Sequence, residues 1–451
     1  MMNKLVTCLV LACFVAVLQL PTAAVAVAAT DAKKQLQQIE AAKKARKAKA
    51  ARKEKAAKGK KKKKAKHATQ LTGKKTSAGV LKAFEVYETG DLDGAISILG
   101  ELKPDKKYDK AYVARYLGII YYQRGKDGDL DTALKKLKFA VDANILSDVE
   151  HGQGIMLLAN LQMEKKLYKK SLDNYYKWLA FTEKEEAIVY VKITQANYLL
   201  EEFDKVIGTA DKAIALFKKP DRNPYILKIQ SYYHRKMFKE AIKVLETVLQ
   251  IFPKDKEWWI QLGSFYSLIE DYDKAAYTLD LAYKQGFLVT QSHIKTLVSL
   301  YSTTEVPFKA ATLLEEHIDS GLVTRDERTI GLLANAWHSA TNIGKAAKYY
   351  GELAQMTNES RYYRKQGVLL KQDQQFSAAV KALNKSLDLG HKDPGKIQLA
   401  IAESYFYLEK YKLAYKAVKE AVKDPKARKY AKPWLSHIKS TAARKKVSLF
   451  K

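Results

Sequence analysis

"EWWIQLGSFYSLIEDYDKAAYTLDLAY", residues 257–283, holds Trp259, Leu262, Gly263 and Tyr266 at spacings of three, one and three. Ala275 follows twelve residues after Gly263. The segment has no nucleophile beside a base and no metal-ligand spacing. Its small residues suit two antiparallel helices of about fourteen residues joined by a tight turn. Where such helices approach most closely, only Gly, Ala or Ser fits, and the aromatic residues pack beside that point. Each helix pair keeps an unburied face and must stack on the next pair.

The position of Ala275 recurs along the chain. Ala95, Ala133, Ser171, Val206, Ala241, Ala275, Ala310, Ala346, Ala379 and Ala414 are separated by 38, 38, 35, 35, 34, 35, 36, 33 and 35 residues. An aromatic residue stands three before six of them, at Tyr168, Phe203, Phe238, Tyr272, Phe376 and Tyr411. Twelve before comes a second small residue in many repeats: Ala83, Ala159, Gly263, Ala334, Gly367 and Ala402. In the second repeat it is Gly118, displaced by the longer turn "RGKDGDLD". Ile229 and Val298 break this pattern.

The period and the W-x-x-L-G-x-x-Y…A signature resemble the tetratricopeptide repeat. The expected fold is all-α, a right-handed α-solenoid superhelix of about ten such helix pairs over residues 76–425. Residues 426–451 supply a capping helix, near 430–446, with Trp434 and Ile438 on its buried side, and a basic tail. A solenoid grows without adding cores, so the 451-residue length does not demand several domains.

The net charge is +31, from 80 basic and 49 acidic residues. Residues 1–28 read as a secretory signal peptide: Lys4, an apolar run from Leu5 to Leu20, Pro21, and cleavage patterns at Ala26-Val27-Ala28 or Ala24-Val25-Ala26. The run is short of the ~20 residues a spanning helix needs. A lipoprotein reading at Cys13 would cut inside the run. Both cysteines, Cys8 and Cys13, lie in this segment, so the mature chain is expected to have no disulfide, thiol chemistry or Cys-based metal site. Export to the periplasm argues against nucleic acid as a partner despite the charge.

Residues 29–75 form a Lys/Ala-rich, low-complexity basic lead-in. Its dense part, 31–66, has 17 Lys or Arg and three acids. Like charges at i, i+4 oppose a helix there. The expectation is an extended tether, either a solvated spacer or an attachment to anionic lipid or cell-wall polymer. Lipid attachment is worth roughly 1 kcal/mol per basic residue at the surface.

Little else carries chemistry. The eight histidines are scattered singly, and no H-E-x-x-H, Gly-rich phosphate loop or G-x-S-x-G occurs. "DGDLD", 127–131, lacks the closing Glu of a calcium loop. No catalytic residue, metal or cofactor is assigned. In the tetratricopeptide pattern the groove positions lie six and three before the small residue of the first helix, and one and four after it. Carried onto the last repeats, they give Arg328, Asn335 and His338, then Arg361, Arg364 and Lys371, then Lys396, Glu403 and Phe406. Arginine forks suit carboxylates. The expected ligand is an acidic or C-terminal segment of a partner protein.

The order of the leader, the Lys-rich segment, "AYVARYLGIIY", "KKPDRNPYILKIQSYYHRKMFKEAIKVLE", "WWIQLGSFY", "LDLAYKQGF", "RYYRKQGVLL" and "AIAESYFYLEKYKLAY" is similar to the periplasmic tetratricopeptide-repeat proteins associated with TonB transport systems of Gram-negative bacteria. The resemblance implies a non-enzymatic helper of the TonB–ExbB–ExbD energy-coupling complex for outer-membrane nutrient uptake. The other reading is a structural envelope protein held by its basic tether. Size alone speaks for an enzyme.

Overall fold

The computed structural model describes residues 66–67 and 70–449. The leader, both cysteines and all of the dense tether before Lys66 lie outside the described residues. Twenty-one helices and no strand occur among the described residues. Their contacts group into two compact units, the first ending at Pro253 and the second starting at Lys254.

The first unit holds α1 (Lys74–Glu88), α2 (Leu92–Glu101), α3 (Lys107–Arg124), α4 (Asp129–Asp142), α5 (Asp148–Glu164), α6 (Tyr168–Thr182), α7 (Ala187–Leu199), α8 (Phe203–Leu216), α9 (Asn223–His234) and α10 (Phe238–Ile251). The second holds α11 (Lys256–Leu268), α12 (Tyr272–Lys284), α13 (Gln291–Thr303), α14 (Pro307–Asp319), α15 (Glu327–Ser339), α16 (Ile343–Thr357), α17 (Ser360–Gln372), α18 (Phe376–Asp388), α19 (Pro394–Tyr407), α20 (Tyr411–Lys423) and α21 (Pro425–Arg444). Within each unit, helices adjacent in sequence pack against each other. The fold is therefore an all-α solenoid of ten tetratricopeptide-type pairs, with α21 packed on α20 and α19.

The repeat series marks the tightest packing. All ten second-helix positions, from Ala95 to Ala414, are fully buried. At Gly263 an added Cβ would lie 2.6 Å from Leu279 Cδ2. At Gly118 it would lie 2.7 Å from Leu137 Cγ, and at Gly367 2.6 Å from Leu383 Cγ. Each leucine stands four after the small residue of its second helix, so the missing side chain of one helix is filled by a large one of the next. In the fourth pair the sizes are exchanged: Thr194 and Ala210 occupy the same two places, both buried. Trp259 is half-buried, and the fully buried indole is its neighbour Trp258.

The turn within each pair is also conserved in geometry. Five residues before the small position, every pair has a positive φ, from 57° to 89°. Gly90 and Gly128 supply it in the first two pairs; Lys166, Glu201, Lys236, Glu270, Glu305, Thr341, Gln374 and Glu409 supply it in the other eight. In those eight the next N–H donates back five residues, as from Asp271 to the Tyr266 carbonyl at 3.0 Å and from Gln375 to Leu370 at 2.8 Å. This is the left-handed helix stop that satisfies orphan carbonyls and reverses the chain.

The last helix buries Ala427, Ala431, Ile438, Thr441 and Ala442, while Trp434 is half-buried. It starts five residues earlier than the sequence pattern suggests because Pro425 opens it and Asp424 caps it, accepting from the Lys426 N–H at 2.8 Å. The end of the lead-in rests on the third pair. The backbone N–H groups of Lys66 and His67 both donate to the Asp148 carboxylate, at 3.0 and 2.9 Å. Lys66 Nζ donates to the Phe181 carbonyl at 2.9 Å and lies 3.0 Å from Glu183.

Candidate functional site

The first helices α15 and α17, with α16 between them, line an open cleft of about 400 Å³. α15 contributes Gly331 and Asn335, α16 contributes Tyr350 and Leu353, and α17 contributes Arg361, Tyr362, Arg364, Lys365 and Val368. Three cations and no carboxylate line it. Opposite charge on a ligand is thus the natural complement.

Packing orients these groups. The fully buried Tyr350 ring sends its hydroxyl to Asn335 Oδ1, which fixes the amide on the cleft wall. Lys365 Nζ lies 4.4 Å from the centre of the same ring. The Arg361 guanidinium lies 4.5 Å from the Tyr362 ring centre and donates to Glu359 Oε1 at 3.1 Å. Arg364 is half-buried and has no hydrogen-bond or ion-pair partner among the described residues. Its positive charge, after burial itself, helps push the His391 imidazole below its ordinary pKa. His391 is neutral at Nδ1, which accepts from the Asp393 N–H at 3.0 Å.

A larger hollow of about 620 Å³ adjoins the cleft and shares Gly331, Asn335 and Tyr362 with it. Its other lining residues are Asp326, Glu327, Arg328 and Leu332. Two carboxylates stand there against one guanidinium. Asp326 is held below its ordinary pKa by the Thr329 N–H that it caps, at 2.7 Å. The mixed charge makes this hollow a poorer seat for an anion than its smaller neighbour.

Of the nine residues expected from the repeat pattern, Asn335, Arg361 and Arg364 line the cleft and Arg328 lines the hollow beside it. His338 is exposed on α15, with its ring centre 6.4 Å from that of Tyr350. Lys371 and Glu403 are committed to each other as an ion pair between α17 and α19. Lys396 is exposed on α19. Phe406 departs from the expectation of an open groove position. Its ring packs at 5.5 Å from Trp434 and 4.9 Å from His437, because α21 covers the end of the array. Tyr350, Tyr362, Lys365 and Val368 were not singled out from sequence. Val368 does occupy a groove position, one after Gly367. Tyr350 belongs to a second helix, which the first-helix rule omits.

Among the described residues, no group of three His, Cys, Asp or Glu is placed to hold a metal ion. No helix among them is long and apolar enough to cross a membrane.

No family model matches the sequence, and no curated protein matches it. Similar folds occur among solved structures. A chain of the Naa15/Naa10 complex bound to HypK-THB matches at 15% identity and TM-score 0.37, covering 76% of this chain and 62% of that one. This chain thus spans less than two thirds of that neighbour's length. YrrB, a TPR protein with an unusual peptide-binding site, matches at 17% identity and TM-score 0.31, covering 40% and 92%. A tetratricopeptide repeat protein from Parabacteroides merdae matches at 12% identity and TM-score 0.30, covering 74% and 99%.

Proposed function

We propose that the protein is a periplasmic protein–protein interaction scaffold that binds an acidic or C-terminal segment of its partner in the α15–α17 cleft. The observation that carries this reading is the convergence of Arg361, Arg364 and Lys365 in a cleft with no lining carboxylate. Export is supported by the leader pattern of residues 1–28, and absence of a catalytic role by the lack of any reactive constellation in the sequence. The partner is a component of the TonB–ExbB–ExbD energy-coupling complex. That part rests on the resemblance of the sequence phrases quoted above.

The charge of residues 31–66 favours a second reading, in which this segment holds the protein to anionic lipid or cell-wall polymer and the repeats only space components. Co-isolation from intact cells separates the two. Recovery of TonB, ExbB or ExbD with the full chain, persisting after deletion of residues 31–66, supports the scaffold reading. Loss of all recovery on that deletion supports the envelope-binding reading.

A further inference from the structure

The end of the second unit has a different kind of basic surface. Lys412, Lys416, Lys419 and Lys423 follow one another at i, i+4, i+7 and i+11, so they share one face of α20. All four are exposed. The buried face of the same helix is Ala414, Ala417, Val418 and Ala421. α21 continues the surface. Lys419 Nζ and Lys439 Nζ lie 5.7 and 5.8 Å from the Tyr415 ring centre, which brings the two helices' lysines to one aromatic side chain.

This charge is local and not a share of the general basicity. α20 and α21 together have ten basic residues and one acid, Glu420. No other second helix exceeds a net charge of +2: α6 has three lysines against one acid, α10 and α12 each have two of either sign, and α14 has one lysine against three acids. Among the described residues, Lys423 is paired with Glu420 at 2.8 Å and Lys426 lies 4.0 Å from Asp393. Lys412, Lys416 and Lys432 are exposed and have no carboxylate partner among the described residues. The two arginines are used by the fold itself. Arg428 donates to the Val422 and Lys423 carbonyls at 3.0 and 3.3 Å, and Arg444 to Thr441 Oγ1 at 3.2 Å.

We infer that the face carrying Lys412, Lys416, Lys419, Lys432 and Lys439 is a docking surface for an anionic phospholipid bilayer. Lysine is a compact, strongly hydrated point charge on a flexible stem, whereas arginine's planar fork suits directed pairing with a carboxylate. An array of unpaired lysines on the outside of two helices, without a pocket, suits a diffuse plane of negative charge. The apolar face of α21 is buried in the array, so contact is by adsorption and not insertion. This inference is independent of the cleft reading.

The test is sedimentation of the full chain with phosphatidylcholine vesicles containing one third phosphatidylglycerol, over a salt series. Lys412→Glu, Lys416→Glu, Lys419→Glu and Lys432→Glu are combined in one variant. A control combines Lys135→Glu, Lys170→Glu, Lys239→Glu and Lys243→Glu, exposed lysines of the first unit. Both variants have the same net charge and keep residues 31–66. The expected result is at least about tenfold weaker vesicle binding for the first variant, with the control within about twofold of the parent. A Lys→Gln version of the first variant, with unchanged helicity by circular dichroism, is expected to show the same ranking. Equal weakening of both variants would overturn the inference, as would no phosphatidylglycerol-dependent binding by the parent. So would a first variant that keeps vesicle binding but loses binding to soluble polyglutamate, which would identify the face as a site for acidic protein.

Discussion

The α15–α17 cleft and the outer face of α20–α21 are both cationic, lie in the same unit, and are built from opposite principles. In the cleft, two of the three charges are held against aromatic rings and the third is partly buried. Arg361 stands against Tyr362 and Glu359, Lys365 against Tyr350, and Arg364 is half-buried. On the outer face, Lys412 and Lys416 stand exposed and unpaired. Oriented charges discriminate among ligands by geometry, and loose charges respond to net field and salt. The same excess of positive charge can thus serve two kinds of partner.

The largest expected effect comes from reversing the cleft charge. Arg361→Glu combined with Arg364→Glu should weaken an acidic partner peptide on the order of a hundredfold in a binding titration. Adsorption at the outer face should be unchanged. Next comes the support beneath the cleft. Gly367→Ala places a Cβ against Leu383 and should cost about 1–3 kcal/mol in thermal or denaturant unfolding, with a loss of cleft affinity as α17 shifts.

Smaller, but more discriminating, is a swap that keeps charge. Arg361→Lys with Arg364→Lys should lower peptide affinity by about tenfold, whereas Lys416→Arg with Lys419→Arg should leave vesicle binding within about twofold. Equal effects in the two regions would erase the distinction drawn here. A control on backbone strain should move neither surface. Gln374 has a φ of 58°, and Gln374→Gly should raise stability by about 0.5–1 kcal/mol with both binding activities intact.

The smallest effect is a pH response at the cleft's edge. Burial first, and then Arg364, holds His391 below its ordinary pKa, so the folded state resists protonation that the unfolded chain accepts. Stability is therefore fully present above about pH 6.5 and falls as pH drops toward the depressed value. His391→Gln should flatten that slope in unfolding experiments. An acidic peptide seated on Arg364 should raise the His391 pKa, measured by NMR titration.

The helix pairs were legible in the sequence because they rest on side-chain volume, and volume is written in residue type. Gly263, Ala275 and their counterparts mark close approach wherever they occur. The turn geometry was not legible. Its left-handed residue is Glu, Lys, Gln or Thr in eight of ten pairs, where a glycine would have announced it. The cleft was legible only in part. Position rules found Asn335, Arg361 and Arg364 on first helices. They missed Tyr350, which reaches Asn335 from the second helix, and they placed Phe406 in a groove that α21 covers. Both errors arise from contacts between helices, which a rule read along one helix at a time does not contain. The pairing of Lys371 with Glu403 is of the same kind.

The most direct test of the account is photo-crosslinking in intact cells from two exposed positions, Val368 in the cleft and Lys416 on the outer face. The expected result is capture of a discrete protein from Val368, lost in the Arg361→Glu, Arg364→Glu variant, with no such protein from Lys416. No protein captured from Val368, or the same set captured from both positions and retained in the variant, would contradict the assignment of the cleft as the partner site.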